Sequence, residues 1–306
     1  MSDPQPALAV APTNPPRRLV YLGTPDMAVP PLRALVAAGF DVGLVITRID
    51  KRRGRGSATS PSPVKAAALE LGLPVSHDLA DATEIGADLG VVVAYGRIIP
   101  VDVLAKLAMV NIHFSLLPRW RGAAPVERAL LAGDETTGVC LMEVAEGLDT
   151  GAVFARRELT IGDDDLGTLR HRLVEAGTDL LVEELTAGLR PPVPQEGEPT
   201  HAAKIGSDEL ELDPSRSADE LQRLTRLGRA WTTFRGKRLK VLEAVVARGE
   251  AAAAVDTAEP GSLDGPLLTT GDGVLELVVV QPEGKRAMAA GDWVNGAQPR
   301  PGERLG

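Results

Sequence analysis

The chain has 306 residues, of which 44% are hydrophobic and 25% are charged, and its formal net charge at pH 7 is -9. This length favours two domains, and the composition is typical of a folded globular chain, which argues against a disordered or fibrous protein. An acidic balance gives no overall attraction to phosphate or anionic lipid, so the average charge disfavours a nucleic-acid partner.

The cysteine content and the lengths of the apolar runs indicate which compartment and which kinds of site to expect. Cys140 is the single cysteine, which excludes an intrachain disulfide, and with four scattered histidines it gives no metal-ligand spacing. No apolar run reaches the ~18 residues of a membrane span, and the Pro-rich residues 1–16 lack the basic start of a signal peptide. We expect a cytoplasmic chain without a metal or a membrane contact, beginning with a flexible extension over residues 1–16.

Strands alternate with helices from residue 17 to residue 190. The strand-length runs are almost continuous in Val, Ile and Leu, which is typical of parallel strands buried on both faces. This pattern predicts a doubly wound, Rossmann-like α/β domain with a mostly parallel sheet. The predicted strands are 18–23, 41–49, 89–96, 109–114 and 138–144, and the predicted helices lie within 25–39, 64–72, 101–108, 123–133 and 165–189.

The chain changes character after residue 190. Residues 191–208 begin with a Pro-rich stretch that predicts a semi-rigid linker. Short β-type runs punctuated by Gly, Asp and Pro follow a helix-like segment at 217–227. Short strands at that spacing predict a small β-barrel or sandwich over 209–306.

The usual nucleotide signatures of an α/β sheet are absent. The first strand is followed by GTPDMAVP, which is not a GxGxxG turn, and the sequence contains neither a GxxxxGK[ST] loop nor a GxSxG nucleophile elbow.

The most informative residues are Asn111, His113 and Asp149. Asn111 and His113 stand two apart in a predicted strand, so their side chains point the same way near its carboxyl end, where open α/β sheets bind ligands. Asp149 follows another strand and would favour the charged form of His113. These groups lack a nucleophile, but they can stabilise an oxyanion and accept a proton from an attacking amine, as acyl or one-carbon transfer requires. A plain hydrogen-bonding role in loops stays open for each of them.

Two basic stretches qualify the argument from net charge. Residues 48–56 carry Arg48, Lys51, Arg52, Arg53 and Arg55 against a single acid, Asp50. Between Glu220 and Glu243 there are seven basic residues and no acid, with Trp231 and Phe234 interleaved. Such stretches are typical of surfaces that follow an RNA backbone, although a solvated loop and a paired helix face are equally open interpretations.

Several blocks of the sequence resemble the methionyl-tRNA formyltransferase family. The longest, NIHFSLLPRWRGAAPVERALLAGDETTG, is followed by GLDTG, and the resemblance extends from about residue 18 to the end. The other blocks are LGTPDMAVPPLRAL, GRGSATSPSPVKAAA, VVVAYGRIIP and QPEGKRAMAAGDW.

The resemblance implies transfer of a formyl group from 10-formyltetrahydrofolate, as co-substrate, to the α-amine of methionyl initiator tRNA, with no metal. Asn111 and His113 would polarise the formyl carbonyl, and Asp149 would set the charge of His113 and assist proton removal.

The resemblance also assigns the binding residues and the second domain. Folate would bind along Ser115, Leu116, Leu117 and Pro118 and beside Tyr95, and the basic loop would engage tRNA through Arg48, Lys51, Arg52, Arg53 and Arg55. The C-terminal domain would be an OB-like barrel that contacts tRNA, in a chain expected to be a monomer.

Two alternatives remain at this point. A related folate enzyme could act on an amino sugar or another small amine, or could release formate from the same folate. The chain could also be a catalytically silent RNA-binding protein on the same scaffold.

Overall fold

The computed structural model describes residues 6–52, 59–255, 258–300 and 303–306. Within these ranges the chain folds into two compact units. Unit 1 takes the chain up to Pro125 together with Thr136–Thr160 and Arg170–Ala202, and unit 2 takes Val126–Glu135, Ile161–Leu169 and Ala203–Gly306.

The secondary structure is mixed throughout. The strands are β1 (Arg18–Gly23), β2 (Asp41–Ile46), β3 (Lys51–Arg52), β4 (Thr59–Ser60), β5 (Val75–Ser76), β6 (Leu89–Val93), β7 (Met109–His113), β8 (Arg121–Gly122), β9 (Thr136–Glu143), β10 (Val153–Thr160), β11 (His201–Ala202), β12 (Trp231–Phe234), β13 (Lys237–Ala247), β14 (Leu263–Asp264), β15 (Leu267–Thr269), β16 (Val274–Pro282) and β17 (Met288–Ala289). The helices are α1 (Val29–Ala37), α2 (Pro63–Glu70), α3 (Val101–Leu104), α4 (Pro125–Ala132), α5 (Leu166–Ala187), α6 (Ala218–Thr225), α7 (Glu250–Val255) and α8 (Ala290–Ala297). Single 3₁₀ turns lie at Asp26–Ala28, Ala80–Thr83 and Asp208–Leu210.

Unit 1 is built on a seven-stranded sheet in the order β10-β9-β7-β6-β1-β2-β5. Strands β7, β6, β1, β2 and β5 run parallel. The chain builds outward from β1 through β2 to β5, and then returns to the other side of β1 with β6 and β7. Strand order therefore reverses between β1 and β6, and the carboxyl ends at this reversal form the crevice where α/β sheets bind ligands.

Apolar sequence explains the position of these strands. All five residues of β6 are buried, as are Leu19 to Gly23 of β1, because helices cover both faces of the sheet. Helix α5 passes close behind β7, where a Cβ on Gly177 would lie 2.9 Å from Cγ2 of Ile112. The absence of a side chain at Gly177 therefore lets α5 pack directly against β7, the strand that carries Asn111 and His113.

Two strands at one end of the sheet depart from the predicted parallel pattern. β9 is antiparallel to β7, and β10 is antiparallel to β9. The prediction missed β10 altogether, although the half-buried and exposed residues that alternate after its first two buried ones are typical of an edge strand with one solvated face. Asp149 lies in the turn that joins this antiparallel pair, between Glu143 and Val153.

The predicted N-terminal extension and the predicted linker are both partly bound to unit 1. In the N-terminal extension the Ala9 amide donates to the carbonyl of Leu104 at 2.9 Å, and Pro16 is buried. In the predicted linker Val193 exchanges two backbone hydrogen bonds of 2.8 Å with Val153, and β11 pairs with β8. The chain from Val193 to Ala202 therefore forms part of unit 1.

Unit 2 contains an antiparallel sheet in the order β12-β13-β16-β15-β14, with β17 also paired to β16. Its core includes Leu221 and Leu224 of α6 and Leu239 and Val241 of β13, all at most 2% exposed. The predicted fold class is confirmed as a mostly parallel α/β unit followed by an antiparallel β unit.

Candidate active site

Strand β7 presents the first two candidate residues at the carboxyl edge of the parallel sheet. Asn111 pairs with Val92 of β6, and His113 pairs with Cys140 of β9. Residues two apart on a strand share a face, so both side chains lie on the same side of the sheet. Asn111 is half-buried, and its side-chain amide makes no hydrogen bond to the residues that the structure describes. Its donors are available to a ligand.

His113 is almost completely enclosed and has a partner for each ring nitrogen. Its side chain is 6% exposed, Nε2 donates to the carbonyl oxygen of Trp120 at 2.9 Å, and Nδ1 lies 3.5 Å from Oδ2 of Asp149. A carbonyl can only accept, so Nε2 carries a proton. The carboxylate of Asp149 faces Nδ1, so an oxygen atom lies beside each of the two ring nitrogens.

Asp149 reaches His113 from the turn between β9 and β10. Its Oδ2 also accepts a hydrogen bond of 2.8 Å from the backbone N–H of Gly122. Gly122 has a φ of +125°, and a Cβ there would meet the carbonyl oxygen of Ala202 at 2.8 Å. Glycine is required at this position because any side chain would displace the N–H that holds the carboxylate.

Left-handed backbone is concentrated around this site. Ala94, Trp120 and Asp149 have φ angles of 47°, 64° and 53°. Such conformations cost residues other than glycine roughly 1–3 kcal/mol and persist only where surrounding contacts enforce them. The three residues lie in the loops that follow β6, β7 and β9, which places the strain where the chemistry is expected.

Sequence reasoning did not find Gln195. Its side-chain Nε2 donates to the carbonyls of Asp149 and Gly151, both at 2.8 Å, and its Oε1 accepts from Nε and Nη2 of Arg121 at 3.0 and 2.7 Å. Gln195 lies in the Pro-rich segment and belongs to no chemical motif. The residues around it in the sequence form no pattern from which these contacts could be predicted.

The segment expected to bind folate is mostly turned inward. Ser115 is fully buried and donates to the carbonyl of Arg119 at 2.6 Å, and Leu117 packs with Cys140, Met142 and Val153. Leu116 and Pro118 are half-buried. A ligand along this segment would therefore meet main-chain groups, Leu116 and Pro118 rather than the side chains of Ser115 and Leu117.

The side chain of Tyr95 is also turned inward. Its side chain lies in the core of unit 1 at 2% exposure, and its hydroxyl is buried without a partner among the described residues. Its carbonyl oxygen accepts from Oγ1 of Thr24 at 3.1 Å, which ties the loop after β6 to the loop after β1. Tyr95 therefore shapes the crevice from below and offers main-chain atoms to a ligand.

The basic loop is described only at its two ends. Arg48 is exposed, and β3 pairs antiparallel with β4, so Lys51 and Arg52 begin a two-stranded ribbon. Arg53 and Arg55 lie outside the described residues, as do the side chains of Lys51 and Arg52. The acid of this stretch, Asp50, makes an ion pair of 2.7 Å with Lys65 of α2. Asp50 is thus already paired outside the loop.

The second basic stretch divides into structural and exposed residues. Arg223 and Arg226 donate to backbone carbonyls of unit 2, and Arg235 binds Glu303 and two carbonyls. The other four members, Arg229, Lys237, Arg238 and Lys240, are exposed, as is Arg235, and the guanidinium of Arg238 lies 3.9 Å from the ring centre of Trp231. The side chains of these four make no hydrogen bond or ion pair to the described residues, whereas Arg235 is held by Glu303.

Over the described ranges, no group of three or more His, Cys, Asp or Glu side chains is arranged to hold a metal ion. In the same ranges no helix combines the length and apolar character needed to cross a membrane. Cys140 is fully buried, and burial raises the pKa of its thiol.

The family models and the similar sequences all indicate the same family. Residues 17–185 match the family model described as formyl transferase, and residues 204–298 match that of the formyl transferase C-terminal domain. A methionyl-tRNA formyltransferase of Jannaschia sp. (strain CCS1) is 45% identical, over 94% of this chain and 99% of the relative. One from Heliobacterium modesticaldum (strain ATCC 51547 / Ice1) is 41% identical, over 94% of this chain and 100% of the relative.

Solved structures share the fold. An N-formyltransferase from Helicobacter canadensis, solved with folinic acid and dTDP-3-aminofucose, has a TM-score of 0.66 at 16% identity, over 85% of this chain and 98% of that chain.

Proposed function

The chain belongs to the methionyl-tRNA formyltransferase family, and from that premise we propose that it transfers the formyl group of 10-formyltetrahydrofolate to the α-amine of methionyl initiator tRNA at Asn111, His113 and Asp149. The observation that supports this assignment is the 3.5 Å contact of His113 with Asp149 on the face of β7 that also carries Asn111. This cluster lies at the carboxyl edge of the sheet, beside the reversal of strand order.

The steps of the reaction determine which three kinds of group the protein must supply. The amine attacks the formyl carbon, and the carbonyl oxygen becomes negative in a tetrahedral intermediate. The amine then loses a proton, the bond between the formyl carbon and N10 breaks, and N10 takes up a proton. A donor for the oxyanion, a nearby positive charge and a proton acceptor lower the barriers to these steps.

Asn111 is the direct donor in this proposal, because its amide has no competing hydrogen bond to the described residues. Charged His113 stabilises the oxyanion through its positive charge. Direct donation from its Nε2 requires the formyl oxygen to replace the carbonyl of Trp120 as acceptor.

Asp149 keeps His113 charged and accepts the amine proton, directly or through water. Its Oδ2 is occupied by the N–H of Gly122, whereas its Oδ1 makes no hydrogen bond to the described part of the chain. The side chain is 14% exposed, so a route to the substrate remains.

Folate binding is assigned to the crevice between the loops after β6 and β7. Leu116, Pro118 and the main chain around Tyr95 line it, with Ser115 and Leu117 fixing the path of the loop. For tRNA we propose the basic loop, with Arg48, Lys51, Arg52, Arg53 and Arg55, as the phosphate-binding element. A cytoplasmic location and a monomeric state belong to the same proposal.

A choice of acceptors tests the proposal. The purified chain is given the formyl donor with methionyl initiator tRNA and, separately, with a nucleotide amino sugar. We expect formyl-methionyl-tRNA as the product in the first reaction and no formylated sugar in the second. Formylation of the sugar alone would assign the site to a small-amine substrate. Binding of tRNA without turnover would indicate the silent RNA-binding alternative.

A further inference from the structure

Gln195 joins the loop that carries Asp149 to the strand that carries Gly122. Its amide makes four hydrogen bonds: two to the carbonyls of Asp149 and Gly151, and two from the guanidinium of Arg121. A glutamine amide has two N–H donors and an oxygen with two acceptor positions. The full capacity of this side chain is therefore used within unit 1.

The chemistry of the partners fixes the orientation of the amide. Carbonyl oxygens only accept and a guanidinium only donates, so the nitrogen must face Asp149 and Gly151 and the oxygen must face Arg121. Glutamate has a similar size but no donor, and its carboxylate would face two carbonyl oxygens. The site therefore requires an amide rather than a polar side chain of any kind.

Asp149 needs this support because two features of its position are demanding. Its φ of 53° lies in the left-handed region, and its carboxylate must meet both the N–H of Gly122 and the ring of His113. Gly122 holds the carboxylate, and Gln195 holds the main chain of the same residue. Since Arg121 and Gly122 are adjacent in the chain, the contacts close into one ring.

We propose that Gln195, oriented by Arg121, is a positioning residue that sets the Asp149 loop for formyl transfer. This inference rests on the proposed role of Asp149. Gln195 touches neither substrate in the proposal, and its effect on the reaction passes through Asp149. A displacement of about 1 Å in a reacting group can cost on the order of 10²-fold in rate.

Substitutions in the full-length chain test this role. Gln195→Ala removes all four hydrogen bonds, and Gln195→Glu keeps the size but removes both donors. We expect kcat for methionyl initiator tRNA to fall by roughly 10- to 100-fold in each variant, with KM for either substrate changed by only a small factor. The neighbouring Glu196→Ala is the control, because Glu196 is exposed and its side chain makes no hydrogen bond to the described residues.

Thermal unfolding separates positioning from simple stabilisation. We expect the Gln195 variants to remain folded at the assay temperature while kcat falls. If kcat falls only in proportion to the folded fraction in both variants, the positioning role is overturned. Unchanged kcat in folded Gln195→Ala overturns it as well.

A double-mutant cycle with Asp149→Asn identifies the route of the effect. If Gln195 acts through Asp149, the change Gln195→Ala should cause little further loss in the Asp149→Asn background. An equal loss in both backgrounds overturns the inference and leaves the role of Asp149 intact. Full turnover by Asp149→Asn alone removes Asp149 from the mechanism, and with it both the proposed site and this inference.

Discussion

The ring of His113 has no free nitrogen in the absence of substrate. The Trp120 carbonyl and the Asp149 carboxylate lie beside its two nitrogens, whereas the Asn111 side-chain amide makes no hydrogen bond to the described residues. The division of labour differs from the picture of two equal donors that spacing alone suggested. In the proposed mechanism Asn111 therefore binds the formyl oxygen directly, and His113 contributes a positive charge.

His113→Ala tests that charge. We expect turnover to fall by about 10²- to 10³-fold, as for loss of an oxyanion-stabilising group, with the affinity for folate changed much less. Single-turnover formylation and folate binding are measured in parallel. His171→Ala is the matched control, because His171 is 74% exposed on α5 and pairs only with Glu175. An unaltered rate in His113→Ala would remove His113 from the mechanism.

At the scale of elements, the buried strands were the predictable part of the fold. β1, β2, β6, β7 and β9 were identified because continuous apolar runs leave few alternatives. The strands of unit 1 that were missed are either two residues long or half-exposed, namely β3, β4, β5, β8, β10 and β11. β8 and β11 pair Arg121 with His201 and Gly122 with Ala202, and no local pattern encodes a pairing between residues so far apart in the chain.

The same division applies to the site. Asn111, His113 and Asp149 could be proposed from the sequence because their residue types and strand-end positions indicate chemistry. Gln195 could not, because its contacts depend on where a Pro-rich segment folds back rather than on the residues around it in the sequence.

Helix α6 offers a test of local design in unit 2. Ser217 and Glu220 form a capping box, in which each side chain binds the backbone N–H of the other residue. We expect Ser217→Ala to lower the free energy of unfolding of unit 2 by about 1 kcal/mol, measured by urea denaturation. Ser207→Ala should leave it unchanged, since the exposed Ser207 hydroxyl makes no hydrogen bond to the described residues. Equal losses in the two variants would contradict the capping role.

The capping box also predicts a pH dependence. The backbone N–H of Ser217, followed by the side chain of Arg216, lowers the pKa of Glu220 in the folded state. The contribution of Glu220 is therefore complete above its unfolded pKa and is lost as the pH falls through the lower, folded value. Glu220→Gln should remove this part of the acid sensitivity.

At the scale of the whole molecule, the distribution of charge matters more than its sum. The net charge of -9 coexists with a basic loop whose acid, Asp50, is already paired with Lys65. In unit 2, Arg223, Arg226 and Arg235 of the second basic stretch bind other groups of the unit, whereas the side chains of four exposed basic residues make no hydrogen bond or ion pair to the described residues. The acidic average is therefore no argument against an RNA partner, and in the proposed function the basic loop is the phosphate-binding element.

Neutralising the basic loop tests its partner. We expect Arg52→Ala with Arg53→Ala to raise KM for tRNA and to flatten its dependence on salt, by about 0.7 to 0.9 in the logarithmic slope per lost phosphate contact. Lys106→Ala with Arg190→Ala removes the same charge from exposed positions elsewhere in unit 1. If both pairs shift KM and the salt slope equally, the effect is one of net charge alone.

The chain from Val193 to Ala202 has a consequence for recombining the two units between relatives. The family match for the first domain ends at residue 185, yet Gln195 and β11 complete the frame of the site beyond that point. A chimera joined at residue 185 would inherit Gln195 from one parent and Asp149 from the other. A junction after Ala202 keeps the whole ring within a single parental sequence, and it coincides with the last point at which the chain passes from unit 1 to unit 2.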